Sequence, residues 1–199
     1  MEPTSQSAPT RGHPTPGALR RVVATALDLP IVVGWATLSG ATGALLRLLA
    51  PEFGGPTAWD VFAFVTLVLP VTITFAWLEA SPSQATFGKR RFQLIVVDAH
   101  GDRLTWRRSM ARSAVKFAPW QLAHTAVFHL AAGSTAVGYV VLAFGAQLVV
   151  LASALTMVLH TEHGALHDLM AKTRVVAAVR PPGPTKRPTS QIDGHSPKQ

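Results

Sequence analysis

Four long apolar runs, two on each side of one basic segment, constrain this chain of 199 residues more than any other feature. In lipid a backbone must satisfy its own hydrogen bonds, so apolar runs of this length fold as helices. A helix needs about 20 such residues to cross the hydrocarbon. The runs predict spans at about residues 27–49, 58–78, 113–132 and 139–159. Charged residues make up 14% of the chain, against about a quarter in a soluble domain. The fold class expected is therefore an all-α polytopic membrane protein.

The basic segment fixes the sidedness. Residues 81–116 hold eight of the eighteen Lys and Arg, and loops rich in these residues stay in the cytoplasm. With that loop inside, three basic residues precede the first span, six follow the fourth, and only Arg47 lies outside. Both termini are then cytoplasmic, in a multi-pass protein of the cell inner (plasma) membrane. The net charge of +8 finds its partner in anionic headgroups rather than in nucleic acid, because it sits beside apolar runs. There is no cysteine, hence no disulfide framework and no thiolate metal site.

Residues 1–17 and 180–199 lack apolar periodicity and are expected to be disordered cytoplasmic tails around a membrane domain at 18–179. The first apolar run is too long for a signal h-region; cleavage after Ala41 or Ala44 is the alternative. Asp28 falls at the inner edge of the first span and Arg47 at its outer end. Pro30 stands in the first helical turn, where a missing N–H does least harm. Trp59 and Trp77 bracket the second span, eighteen residues and about 27 Å apart, at headgroup positions. Pro70 should bend that helix, and Glu79 ends it. Arg112 and Lys116 open the third span and are expected to snorkel inward. Gln147, Ser153 and Thr156 in the fourth should face another helix.

The periodicity changes within the loop 81–112. Residues 92–97 are rich in β-formers, 99–102 signal a turn, and 103–106 can return as a strand; residues 175–179 repeat the pattern. Either these pieces form a small cytoplasmic β element or they are irregular.

The flanks of the spans carry recognisable fragments. Arg21 and Asp28 frame an Arg-x-x-Ala-x-x-x-Asp pattern. Pro82, Gly88-Lys89, Val96-Val97-Asp98 and Gly101 punctuate the loop, and Arg112 leads into the third span. Leu166-His167-Asp168-Leu169-Met170-Ala171-Lys172-Thr173, with Val175-Val176, closes the set. In this order the fragments resemble the RDD family of small bacterial membrane proteins, named for one arginine and two aspartates. The resemblance covers residues 18–179 and departs at Gln93, where family members often have glycine. It implies a fold more than an activity, although cation/proton exchange has been suspected for the family.

Chemistry is sparser. Arg21 and Asp28 share a helix face about 10.5 Å apart, too far for a direct bridge, so Asp28 is expected to pair with Lys89, Arg112 or His167. It is either a proton- or cation-responsive carboxylate or an anchor pinning the loop to the bundle. His167 and Asp168 should not both point inward. Ser153, Thr156, His160, His163 and His167 would form a polar stripe if the helix ran through Gly164, but Gly164 is a helix stop, and no metal site is expected. His124 and His129 read as packing or interfacial residues. Gly88-Lys89 lacks the rest of a Walker loop. No nucleophile is placed, so no catalytic residue and no cofactor are expected, and the chain is not read as an enzyme. Two functions remain: transport of small ions, which in four helices calls for a homo-oligomer, or a non-catalytic membrane scaffold or assembly partner.

Overall fold

The computed structural model describes residues 16–159 and 164–178. The two expected tails, apart from a few residues, and the histidines His160 and His163 lie outside the described residues.

Helix α1 (Ala18–Ala26) turns its Arg21 and Ala24 inward. A turn at Leu27 and Asp28 separates it from α2 (Leu29–Leu49). Pro30 causes the break, because it has no N–H for the carbonyl of Ala26. Helices α3 (Pro56–Ala63) and α4 (Leu69–Ala80) form one rod, joined by a π-helical turn at Phe64–Val68. Pro70 leaves the carbonyl of Thr66 without its helical donor, and the ladder widens just before it.

The loop folds into short α5 (Phe87–Arg91) and strand β1 (Leu94–Asp98). Long α6 (Trp106–Ala131) starts on a Thr105 cap, whose hydroxyl accepts from the N–H of Arg108. Then come α7 (Val137–Leu159), α8 (Leu166–Met170) and strand β2 (Thr173–Ala177). Strands β1 and β2 pair antiparallel, from Leu94 opposite Ala177 to Asp98 opposite Thr173. The β element thus exists, but its second strand comes from the end of the domain; Arg103 contributes a single bridge to Val97.

Among the described residues three helical stretches are long and apolar enough to cross a membrane: Ala18–Leu49, Pro56–Ala80 and Val137–Met157. Helix α6 has the length, at 26 residues, but its first half carries Arg107, Arg108, Arg112 and Lys116. It is nevertheless central, packed against α3, α4 and α7. Two apolar clusters hold the layers. Leu67, Val68, Val71, Phe75 and Phe117 form one between the long helices, and Ala24, Leu94, Val96, Leu104 and Val175 form the other around the sheet. Gln147 is exposed rather than facing another helix.

The two halves of the sheet layer share one local plan. A five-residue helix (α5 or α8) is followed by one capping residue, one left-handed residue and a five-residue strand. The left-handed residues are Gln93 (φ 52°) and Lys172 (φ 51°). The third helical residue is a buried charge in each, Lys89 in one and Asp168 in the other.

Candidate functional site

Five buried charges alternate in sign where the long helices meet the sheet layer. Arg21 on α1 donates to Asp168 Oδ2 at 2.7 Å. Arg112 on α6 donates to Asp168 Oδ1 through Nε at 2.8 Å and Nη2 at 2.6 Å, and through Nη1 to Glu79 at the end of α4. Lys89 on α5 donates to the other oxygen of Glu79. Glu79 and Asp168 are fully buried, and Arg112 is 1% exposed. The planar guanidinium of Arg112 suits this place, because its fork serves two carboxylates at once. Arg112 is therefore drawn into the protein and does not snorkel; the carboxylates outbid the headgroups.

The electrostatics follow from this geometry. Burial alone would push the Asp168 carboxyl upward, but Arg112, and after it Arg21, hold it well below the usual carboxylate range. Burial lowers the Lys89 ammonium against the attraction of Glu79. Burial, aided by Arg112, pushes His167 down to about 3. His167 Nε2 lies 3.8 Å from Asp168 Oδ1, and both side chains face inward. The expectation that only one would do so fails because α8 is a single short helix enclosed by α6 and α7.

Asp28 belongs to a separate knot. Its carboxylate takes no part in capping α2. It accepts from the Thr86 hydroxyl at 2.5 Å and from the Gly88 N–H at 2.8 Å. The expected pairing with Lys89, Arg112 or His167 is thus corrected: neutral donors of the loop reach it first. Gly88 has no substitute in this packing, since a Cβ there would stand 1.9 Å from the carbonyl oxygen of Ala24. Asp98, the loop aspartate, accepts from the N–H groups of His100 and Asp102 at 2.9 and 3.0 Å and pairs with Arg108 at 2.7 Å. It thereby ties the turn at Gly101 to the start of α6.

A third polar knot lies between α3 and α6. Asp60 accepts from Gln121 Nε2 and from the Thr125 hydroxyl, both at 2.8 Å. Sequence reasoning passed over Asp60, Glu79 and Thr86. Glu79 carried a signal, being the only acidic residue between Asp60 and Asp98. Among the described residues no three His, Asp or Glu side chains come together as a metal site. His129 stacks on Tyr139 at 4.3 Å, and His124 stacks on Phe128 with its ring tilted at 56° to Trp120.

The RDD family profile matches residues 15–172, a span containing Arg21, Asp28, the loop fragments and Asp168. This chain belongs to the RDD family. Neither curated proteins nor solved structures gave a match. In this RDD protein the arginine and the two aspartates of the motifs do not converge on one point. Arg21 and Asp168 join the ionic chain, while Asp28 binds the loop.

Proposed function

We propose that this RDD membrane protein moves small ions, exchanging a monovalent cation for a proton. One contrast carries the reading. Asp168, Glu79 and Asp98 each hold a cationic partner. Among the described residues Asp28 and Asp60 have none: both accept only from hydroxyl, amide or backbone N–H groups. A carboxylate with neutral neighbours can trade a proton for a cation without breaking an ion pair. Asp28 stands at the inner end of the first long helix and Asp60 at the outer end of the second. The reading takes α6 as a fourth span, its basic half in the ionic layer and the rest in lipid, with both termini cytoplasmic in the plasma membrane. One chain leaves little room for a pathway, so a homo-oligomer is part of the reading.

The continuous chain of ion pairs favours a second reading, a scaffold without catalysis or transport whose ionic layer only fastens loop to bundle. Proteoliposomes loaded with a pH-sensitive dye separate the two. Exchange predicts proton movement on adding Na⁺ or K⁺, lost in Asp28→Asn. The same dye trace with and without cation, from folded and inserted protein, selects the scaffold.

A further inference from the structure

A cavity of about 710 Å³ opens beside the ionic chain, between α1, α6, α7 and α8. Its charged lining has one sign. Arg21, Lys89, Arg112 and Lys116 line it, and no carboxylate does among the described residues. Glu79 and Asp168 touch these cations from outside the cavity. Lys116 has no ion-pair partner among the described residues; its ammonium rests on the Phe75 ring at 4.2 Å.

The rest of the lining is mostly apolar, with Thr25, Ser153 and His167 as its polar members. On α6 the lining residues are Val115, Ala118, Pro119 and Leu122, spaced 3, 1 and 3 along one helical face. On α7 they are Val149, Val150, Ser153, Ala154 and Met157, again one face. These two stripes border an open space, running about 10 to 12 Å along the helix axes. The cationic end lies at the cytoplasmic ends of α6 and α7, at headgroup level if the basic loop is inside.

We propose that this cavity binds one anionic phospholipid, with its phosphate among the four cations and an acyl chain along the α6 and α7 stripes. Unbalanced buried positive charge is costly, and a phosphate supplies the missing anion with oxygens suited to arginine. A free anion would leave the apolar stripes without an occupant, and a zwitterionic lipid would bring a second positive charge to a site already rich in them. The proposal goes beyond ion exchange and holds for a scaffold equally.

Native mass spectrometry of the full chain, delipidated in detergent and titrated with lipid, tests it. Phosphatidylglycerol should be retained at one molecule per chain, at least tenfold more tightly than phosphatidylcholine. Lys116→Gln should weaken that retention about tenfold, and Ala154→Phe, which fills the middle of the apolar stripe, should abolish it. Arg91→Gln, an exposed cation of the same loop, should leave it unchanged. Equal retention of the two lipids would overturn the proposal, as would equal losses in Lys116→Gln and Arg91→Gln. Inorganic phosphate displacing phosphatidylglycerol at similar concentration would also overturn it, by assigning the cations to a free anion. A melting temperature for each variant, taken without lipid, distinguishes a lost site from a lost fold.

Discussion

Arg112 is a buried guanidinium whose Nε, Nη1 and Nη2 each donate to Asp168 or Glu79. Removing one partner of such a group costs about 3–5 kcal/mol, because the charges left behind stay buried. His167, beside it, faces the opposite problem, since a proton on its ring would add a positive charge next to Arg112. Its pKa is about 3 in the folded protein and 6.5 when free. The unfolded chain therefore binds the extra proton, and stability falls as pH drops from about 6.5 toward 3. The slope is up to about 1.4 kcal/mol per pH unit. Asp168 has the depressed pKa of a paired carboxylate, so its contribution persists until the pH falls below its unfolded value of 3.8 and is constant above pH 4.5. Detergent melting temperatures between pH 7.5 and 4.5 should decline for the native chain and decline less for His167→Asn. Parallel curves would mean that His167 takes up its proton without penalty.

At the level of elements, the paired short helices and strands show what a left-handed residue is for. Gln93 and Lys172 each stop a five-residue helix and aim the chain into a strand. A side chain in this conformation costs about 1 kcal/mol or more, which glycine avoids. Gln93, the one departure from the family pattern noted in the loop, falls on such a position. Gln93→Gly should therefore stabilise the fold by roughly 0.5–1 kcal/mol, seen as a melting temperature a few degrees higher. Lys172→Gly should behave likewise, and a lower melting temperature in either would show that its side chain does more than tolerate the turn. This plan escaped sequence reading because the two copies share only a Val-Val pair, Val96-Val97 in one and Val175-Val176 in the other, on a common backbone path. The β-branched stretches were legible as strands, but the pairing of β1 with β2 spans about half of the domain and has no local signature.

For the whole molecule, hydropathy made the long helices legible, and the motif fragments made the family legible. The third expected span, 113–132, was the least legible, because α6 combines a basic half in the ionic layer with a more apolar half beyond it. The partners inside the layer were obscure for a related reason. Opposite charges from five separate elements can be matched in many ways, and the choice between Lys89 and Thr86 for Asp28 depends on the close approach at Gly88. Sidedness can be read directly, since the chain has no cysteine. Single cysteines at Gly54 and Ser134 should react with an impermeant thiol reagent in intact cells, and cysteines at His100 and Ser190 only after permeabilisation. Labelling of His100→Cys from outside would invert or break the four-span path. The ionic chain also imposes an order on synthesis. Arg21 and its partner Asp168 are 147 residues apart, about 7 to 30 seconds of translation at 5–20 residues per second. Until then Arg21 and Arg112 wait at the membrane without the carboxylate they share. A chain that ends before residue 166 lacks Asp168, and with it the bonds of Arg21 and Arg112 to that carboxylate.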